Sequence, residues 1–600
     1  MALADALDRD RDVIFSNHRC HGHYLAWTSD VEGLLAEIMG RRGGVCRGLG
    51  GSQHLCSRRF FSNGIQGGSM PVAAGLAFAH KLEGRGGIVT ACIGDGTLGE
   101  GVVYETFNMA AKWGLPLLIV LENNRYAQST AQTETLAGGI DARAAAFGIQ
   151  TFKADTWDAE HLAQELERAV QFVRAECAPA FVRVDTYRLG AHSKGDDDRP
   201  PQEIADYTRR DPLNVQLECW AADPESPVPG LRRRIQEIVE RIEGTPLLDL
   251  SEQPGALERP AYEERTIQSE AGTQLEAINH SLHHWMMQDS GVYVIGEDVR
   301  SPYGGAFKVT RGLSDCFADR VINCPISEAA IVGFGNGLSL SGRRAIVEVM
   351  FGDFLTLCFD QILNHAAKFR GMYGGQVENP LIIRTPMGGG RGYGPTHSQN
   401  LEKHVAGIPG LRMLVMHGRT RVSPMYENLR ALVAPVLIVE NKLLYRERDD
   451  APLPAGYCRR ELVAPFPATI LRPSSQADIT ILAFGRMSVL AEQAASELLE
   501  EEVYADLVFP LEVWPLDLSA VMPSVAVTRK LLVVEEGASG FDLASEVIAS
   551  VSLADGGAER IRFRRLGAIP MPIPSALALE RQVLPSVERI VAAALELFDE

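Results

Sequence analysis

Residues 88–126, IVTACIGDGTLGEGVVYETFNMAAKWGLPLLIVLENNRY, decide the fold of this chain. The apolar run at 88–93 predicts a buried strand, and apolar residues between 102 and 111 recur at helical spacing. A second apolar run at 115–121 predicts another buried strand. A strand–loop–helix–strand unit of this length is a right-handed crossover that joins two parallel strands of one sheet.

Polar residues follow both predicted strands. Gly94-Asp95-Gly96 comes after the first strand, and Asn123-Asn124 follows it after 26 intervening residues. Asp95 and Asn124 are therefore expected beside the amino end of the helix between the strands, which attracts anions. A carboxylate and an amide oxygen are hard ligands suited to magnesium. A lone GDG turn is usually an ordinary loop, but GDG with NN at this spacing predicts a site for a magnesium-bound diphosphate.

The composition is that of an ordinary globular protein of 600 residues, long enough for several domains. The net charge of −19 argues against a general affinity for nucleic acid or for anionic membrane surfaces. No apolar run approaches the ~20 residues that span a bilayer, and residues 1–12 carry neither a basic leader nor a long apolar segment. The ten cysteines are scattered without CxxC pairs, which favours reduced thiols. We therefore expect a cytoplasmic protein.

Three stretches of the chain alternate strand and helix patterns, and two irregular regions separate them. This alternation predicts an α/β fold of three doubly wound domains with mainly parallel sheets. The expected boundaries are 1–220 for the first domain, 221–262 for a connector with one exposed helix, 263–450 for the second domain and 451–600 for the third. Residues 354–369 are expected to form a helix, and residues 505–513 (ADLVFPLEV) a single strand.

Four further segments carry residue types that can do chemistry, and each also has an ordinary structural interpretation. Residues 17–23 (NHRCHGH) could be a polar turn or a zinc site, although no second ligand cluster lies at a suitable spacing. The glycine-rich loop 63–68 enters a helix, and the charged loop 187–198 follows a strand-like run. Glu328 begins a predicted helix, where a glutamate usually serves as a capping or dipole contact.

Taken together, these motifs resemble those of the thiamine-diphosphate-dependent enzymes, whose cofactor motif is GDG followed by NN at about this interval. HRCHG resembles the YR-x-HG element in α subunits of the 2-oxo acid dehydrogenases, and loop 187–198 resembles their histidine-serine loop. From GED through PISE to THSQ (residues 296–399) the chain resembles the β subunits. The likeness covers about residues 15–215 and 265–590, as if the two subunits were fused head to tail. It implies two thiamine-diphosphate-binding folds followed by a domain like the C-terminal domain of transketolase.

The resemblance implies roles for particular residues of this chain. Those implied to hold Mg²⁺ are Asp95, Asn124 and, through its backbone carbonyl, Tyr126. Those implied to contact thiamine diphosphate, besides Asp95 and Asn124, are Arg19, Gly64, Gln66, Gly94, Gly96, His192, Ser193 and Phe354. Those implied to be catalytic are Glu328 at the pyrimidine ring, with His21 and His397 handling protons. The departures from the family pattern are His18, where tyrosine is usual, and Gln66 and Gln128, where apolar residues are usual.

The resemblance also implies a reaction. A buried glutamate that shares a proton with the pyrimidine ring lets the cofactor form a carbon nucleophile, which attacks a 2-oxo acid so that carbon dioxide leaves. The acyl group would then pass to a lipoylated acyltransferase or another acyl carrier. One alternative is a thiamine-dependent transferase or carboligase that acts on another acceptor, and another is a non-catalytic relative. A homodimer with two active sites is expected.

Overall fold

The computed structural model contains two compact units. The described residues are 1–193, 195, 197–221, 223–252, 263–556 and 560–599. Among them, the first unit takes in 1–252, 329–342 and 360–379, and the second takes in 263–328, 343–359 and the described residues from 380 to 599. Residues 253–262, the end of the expected connector, lie outside the described residues. The domain boundaries expected from the sequence stay predictions.

The first unit contains a seven-stranded sheet in which every pair of neighbours but the first runs parallel. In order across the sheet, its strands are Cys56–Ser57, Phe60–Ser62, Val13–Ser16, Val89–Gly94, Leu117–Asn123, Ala180–Asp185 and Gln150–Asp155. Val89–Gly94 and Leu117–Asn123 are adjacent and parallel, and the helix Gly101–Trp113 lies between them in the chain. The predicted pair of parallel strands joined through a helix is confirmed. A separate antiparallel pair consists of Tyr126–Ala127 and Thr130–Ala131.

Helix Gln66–Glu83 is the central helix of the first unit, and most of its residues are buried. Its small side chains permit close backbone packing, because a Cβ atom at Gly75 would lie only 2.0 Å from the carbonyl oxygen of Phe334. The other helices of this unit are Ala2–Ala6, His21–Thr28, Val31–Ile38, Gly101–Trp113, Gln132–Thr135, Ile140–Ala145, Ala159–Glu176, Pro201–Arg209, Pro212–Ala221, Val228–Glu243 and Phe369–Met372.

The helix expected in the connector is present as Val228–Glu243. It is not simply exposed, because Ile238 and Ile242 are buried and form an apolar cluster with Ala36 of helix Val31–Ile38. The expectation of an exposed helix is therefore wrong for one face. Its sequence is rich in charged residues, but it also contains two isoleucines four residues apart, which lie on the same side of a helix.

The second unit contains two seven-stranded sheets. In order across the first, the strands are Val321–Asn323, Val292–Gly296, Arg344–Glu348, Ile382–Met387, Val436–Asn441, Arg412–Val415 and Glu512–Trp514. Only the last of these pairs antiparallel with its neighbour. The carboxyl ends of the parallel strands therefore meet at one edge of the sheet, where Gly296, Glu348, Met387 and Asn441 lie.

The other sheet of the second unit is mixed. In order, its strands are Glu264–Arg265, Tyr457–Leu462, Thr469–Pro473, Ala505–Phe509, Ile479–Ala483, Lys530–Ala538 and Arg562–Ala568. The first three pairs are antiparallel and the last three are parallel. The expected single strand 505–513 is wrong. The chain leaves this sheet at Pro510, which has no backbone N–H to donate, and Glu512–Trp514 joins the other sheet.

The described helices of the second unit are Gln274–Gln288, Leu313–Cys316, Glu402–Val405, Val422–Leu429, Met487–Glu500, Met522–Thr528, Leu543–Ala554, Leu577–Val583 and Val587–Asp599. Helix Glu328–Leu340 begins with the last residue of a second-unit segment and continues in the first unit. The helix expected at 354–369 is not a regular α-helix, because Gly352–Cys358 is 3₁₀ and Gln361–Ala366 is a π-helix. Among the described helices, none is both long and apolar enough to cross a lipid bilayer.

Candidate active site

Asp95 lies at the start of a 3₁₀ turn, Asp95–Gly99, directly after strand Val89–Gly94. Its side chain is only 2 % exposed. The Oδ2 atom accepts a hydrogen bond of 2.6 Å from the Gln132 amide, but the buried Oδ1 atom has no hydrogen-bond partner among the described residues. Burial raises the pKa of the Asp95 carboxyl. A buried carboxylate oxygen without a donor is suited to a cation, which would supply the missing interaction.

The two asparagines of the NN pair do different things. Asn123 is buried and structural, since its Nδ2 donates to Asp185 at 2.6 Å and its Oδ1 accepts from Gln132 at 2.7 Å. Asn124 faces the cavity described below, and its Oδ1 accepts from the backbone N–H of Tyr126 at 3.0 Å. Gln132 therefore connects Asp95 with Asn123. Sequence reasoning missed Gln132, because its position gives no local signal.

A cavity of about 490 Å³ opens beside the GDG turn. The expected site residues that line it are Arg19, Gly64, Gln66, Gly94, Asp95, Gly96, Asn124, Tyr126 and His192. His18, Glu122 and Gln128 also line it. Gly96 is required here, because a Cβ atom would lie 2.8 Å from the Cβ of Ala127. The cavity combines an unsatisfied carboxylate oxygen with cationic and backbone groups, so its residues fit a magnesium-bound diphosphate.

Glu122, in the wall of the same cavity, forms a charged pair with His23, which does not line it. Glu122 accepts a hydrogen bond of 2.8 Å from Asn17 and lies 3.3 Å from His23 Nε2. Burial opposes ionisation of both groups, but their mutual attraction outweighs it. The pKa of Glu122 is lowered, and the pKa of His23 is raised. The negative charge of Glu122 is thereby balanced inside a cavity suited to an anion.

Two expected residues of the first unit do not line the cavity. The Nε2 atom of His21 is 2.9 Å from the carbonyl oxygen of Ser52. Ser193 is exposed on the loop after strand Ala180–Asp185. Its neighbour His192 does line the cavity, and its carbonyl oxygen accepts a hydrogen bond of 2.7 Å from Arg19. The roles of His21 and Ser193 stay predictions.

Glu328 is the first residue of its helix and is 9 % exposed. Glu297, which follows strand Val292–Gly296, has its pKa raised to about 7, first by burial and then by the negative charge of Glu328. Cys358 also feels the charge of Glu328, which adds to burial in raising the pKa of its thiol. Two carboxylates therefore share one buried region at the end of the sheet. Glu297 belongs to the GED segment of the β-subunit resemblance, but nothing in the local sequence predicts its proximity to Glu328.

Phe354 and His397 belong to one aromatic cluster of the second unit. The His397 ring makes edge contacts with two phenylalanines. Its centroid lies 4.8 Å from that of Phe351 and 5.3 Å from that of Phe354. Its Nδ1 atom is 3.0 Å from the Thr396 hydroxyl. Phe354 and Thr396 also line a cavity of about 730 Å³, together with Asp353, Thr356, Leu357, Phe359, Gln399, Leu401 and His404. His397 therefore follows a residue of the cavity wall and packs against both aromatic rings.

The glycine-rich loop that leads to His397 is held by buried charges that sequence reasoning missed. Lys442 donates hydrogen bonds to the carbonyl oxygens of Gly388, at 2.7 Å, and of His397. Glu580 accepts from the backbone N–H groups of Gly390 and Gly392 at 2.8 and 3.0 Å. Lys442 is 1 % exposed, and burial lowers its pKa to about 8. These contacts hold the loop at several points along its length.

Models of three known families match successive parts of the chain. The dehydrogenase E1 component family matches residues 1–216, the pyrimidine-binding domain of transketolase matches 273–448, and the C-terminal domain of transketolase matches 468–590. A crystal structure of transketolase from Campylobacter jejuni superposes with a TM-score of 0.66, covering 99 % of this chain and 94 % of the other at 15 % identity. At that identity the likeness establishes the fold.

Curated relatives match the two halves of the chain separately. The β subunit of acetoin:2,6-dichlorophenolindophenol oxidoreductase from Cupriavidus necator is 34 % identical over 334 residues, which is 53 % of this chain and 95 % of that protein. The β-1 subunit of the mitochondrial pyruvate dehydrogenase E1 component from Oryza sativa is also 34 % identical, covering 54 % of this chain and 85 % of that protein. The α subunit of the pyruvate dehydrogenase E1 component from Zymomonas mobilis is 38 % identical over 260 residues, which is 41 % of this chain and 73 % of that protein.

The matched families and relatives define the class of thiamine-diphosphate-dependent enzymes. Within that class, the chain belongs to the E1 components of the 2-oxo acid dehydrogenases, with the α-like and β-like parts fused in one chain. The reaction of this family is decarboxylation of a 2-oxo acid with transfer of the acyl group to a lipoyl carrier. The family resemblance and the fold class expected from the sequence are thus confirmed.

Proposed function

We propose that the 490 Å³ cavity of the first unit binds the diphosphate of thiamine diphosphate through Mg²⁺. The observation that carries this proposal is the buried, unpartnered Oδ1 atom of Asp95. Asp95, the Asn124 side chain and the Tyr126 carbonyl would hold the metal. When bound, the cofactor supplies a nucleophilic carbon and an electron sink for decarboxylation.

Other residues of the first unit would position the diphosphate. Arg19 and His192 supply positive charge or hydrogen-bond donors on the cavity wall, and Arg19 is already oriented by the His192 carbonyl. Gly64, Gly94 and Gly96 line the cavity and would present backbone groups to the diphosphate. Ser193 would join them from the following residue of the loop, as the family resemblance implies.

In the second unit, Glu328 would hold a proton for the aminopyrimidine ring of the cofactor. Its burial supports this role, because a buried carboxyl group can hydrogen-bond a ring nitrogen with little competition from water. Phe354 would present an aromatic face to the ring. His397, which packs against Phe351 and Phe354, would handle a proton on the substrate or on the acyl acceptor, and His21 would share this task.

The substrate would be a short 2-oxo acid, with pyruvate the first to test. Relatives of both halves are named for pyruvate dehydrogenase, and the β-like half is also similar to proteins named for acetoin. A lipoylated acyltransferase is the proposed acceptor of the acyl group. A homodimer and a cytoplasmic location complete the proposal, and both rest on the sequence alone.

The experiment is a substrate panel with a lipoylated domain as acceptor. Pyruvate, branched-chain 2-oxo acids, longer 2-oxo acids and acetoin are each supplied with thiamine diphosphate and Mg²⁺, and acylation of the lipoyl group is followed by mass spectrometry. We expect one 2-oxo acid to acylate the domain. Acylation from acetoin alone would contradict the decarboxylation proposal, and sedimentation velocity at micromolar concentration tests the homodimer.

A further inference from the structure

Gln66 lines the cavity, and two donors determine the orientation of its amide. The backbone N–H of Gly94 and the hydroxyl of Thr97 each lie 2.8 Å from the Oε1 atom of Gln66. A backbone N–H can only donate, so the atom that faces it must be the amide oxygen. The amide nitrogen of Gln66 is consequently directed to the other side, where it lies 3.0 Å from His18 Nδ1.

The Gln66 amide in turn determines the tautomer of His18. An amide NH₂ group can only donate, so the Nδ1 atom of His18 must accept, and the neutral ring carries its proton on Nε2. Burial lowers the pKa of His18, and the positive charges of Arg19 and His192 lower it further, against a smaller opposing effect of Glu122. His18 is therefore a neutral imidazole with an Nε2–H donor at neutral pH.

This Nε2–H donor is unpaired within the part of the chain that the structure describes. The Nε2 atom of His18 is buried and has no hydrogen-bond partner among those residues. Buried donors are almost always paired, so an unpaired one calls for an explanation. His18 lies in the wall of the same cavity as Asp95, next to Arg19 in sequence and with its ring centroid 5.6 Å from that of His192. A phosphate oxygen accepts hydrogen bonds and would satisfy the Nε2–H group.

We propose that His18 and Gln66 act as one diphosphate-anchoring pair, in which Gln66 directs the tautomer of His18 and the Nε2–H of His18 donates a neutral hydrogen bond to the diphosphate. This inference rests on the proposed function, because it assumes thiamine diphosphate in this cavity. The pair also accounts for two departures from the family pattern at once. At position 18, the imidazole N–H donor of histidine replaces the hydroxyl donor of the usual tyrosine. The Gln66 amide fixes the tautomer of that imidazole.

The test measures binding rather than turnover. Titration calorimetry with Mg²⁺ compares thiamine diphosphate and inorganic pyrophosphate on the wild-type chain and on His18→Phe, Gln66→Leu and the double variant. We expect His18→Phe to weaken both ligands about tenfold. The double variant should bind no more than about twofold more weakly than His18→Phe, because the contribution of Gln66 to affinity passes through His18. His80→Phe is the control, since His80 is also a buried histidine of this unit but lies outside the cavity.

Two further readouts distinguish this role from a merely structural one. The ¹⁵N shifts of His18 in labelled protein should report a protonated Nε2 in the wild type and a mixture of tautomers in Gln66→Leu. Calorimetry in buffers of different ionisation enthalpy should give the same proton uptake for the wild type and His18→Phe. If the wild type takes up a proton on cofactor binding and His18→Phe does not, the proposal that His18 donates as a neutral imidazole is wrong.

The failure of the inference is separable from that of the proposed function. If the wild-type chain binds neither thiamine diphosphate nor pyrophosphate, the proposed function fails. If the wild type binds both and His18→Phe binds them equally well, only the His18–Gln66 pair is wrong.

Discussion

The ammonium group of Lys442 donates a hydrogen bond to the backbone carbonyl of His397. These residues are 45 positions apart, and the contact holds the end of the glycine-rich loop that begins at Gly388. A buried lysine of this kind costs free energy to desolvate, which its lowered pKa of about 8 reflects. The contact therefore indicates that the position of His397 matters to the chain.

Lys442→Met should reduce kcat with the 2-oxo acid substrate by about tenfold to a hundredfold, because small displacements of a reacting group are costly. Cofactor affinity should change little, since Lys442 is not in the diphosphate cavity. Lys403→Met is a matched control, because Lys403 also donates to two backbone carbonyls, of Ala538 and Gly540, away from the His397 loop. Equal losses in the two variants would refute a specific effect on His397.

Glu122→Gln should lower the pKa of His23, measured by an NMR titration of labelled histidines. In the wild type the Glu122 carboxylate raises that pKa against the effect of burial, and the variant loses this opposing charge. Glu203→Gln, which affects a carboxylate bonded to Tyr126 instead, should leave the His23 titration unchanged. An unaltered His23 titration in Glu122→Gln would contradict the ion pair.

The same pair predicts how its contribution to stability varies with pH. The pKa of His23 is raised, so its contribution is full below its unfolded value of about 6.5 and is lost as the pH rises through the folded value. The pKa of Glu122 is lowered, so its contribution is full above about 4.5 and is lost as the pH falls through the folded value. The destabilisation by Glu122→Gln should therefore be largest between about pH 4.5 and 6.5, as a shift in melting temperature.

Glu297→Gln should stabilise the second unit at pH 8 but hardly at pH 5. The pKa of Glu297 is raised to about 7, so the folded state keeps a proton that the unfolded state has already lost. Stability is consequently lost as the pH rises from about 4.5 to 7, and a neutral glutamine avoids that loss. We expect a melting temperature a few degrees higher at pH 8, with exposed Glu427→Gln as control. A gain of equal size at both pH values would contradict the assignment.

Asp95→Asn should weaken metal binding about a hundredfold or more, measured with Mn²⁺ by electron paramagnetic resonance in the presence of thiamine diphosphate. The variant keeps the shape of the side chain but loses the charge on the unpartnered Oδ1. Asp141→Asn is the control, because Asp141 pairs with Arg183 and does not line the cavity. Mn²⁺ affinity that survives in Asp95→Asn would place the metal elsewhere.

Much of the first-unit cavity could be predicted from sequence because its residues follow strands whose order is itself predictable. Asp95 and Asn124 follow adjacent parallel strands, so their proximity is a consequence of the crossover. Gln132 and Glu122 were not predicted, since nothing in their local sequence indicates that they face Asp95 and His23. The His18–Gln66 contact joins positions 48 apart, and no periodicity reports such a pairing.

The two secondary-structure elements that were predicted wrongly have local physical causes. A run as apolar as 505–513 resembles one long strand, but Pro510 divides it between two sheets. The 354–369 segment has a helical pattern, whereas 3₁₀ and π turns differ from an α-helix only in hydrogen-bond spacing, which a sequence pattern hardly reports. Lys442 and Glu580 were missed because their partners are backbone groups of a distant loop.

The most direct test of the central claim is release of labelled carbon dioxide from carbon-1-labelled 2-oxo acids by the full chain with thiamine diphosphate and Mg²⁺. The account predicts release that requires both additions and is nearly abolished by Glu328→Gln, while cofactor binding by that variant stays measurable. Absence of release from every acid of the panel, with cofactor binding verified in the same sample, would contradict it. Near-normal release by Glu328→Gln would contradict the role of Glu328.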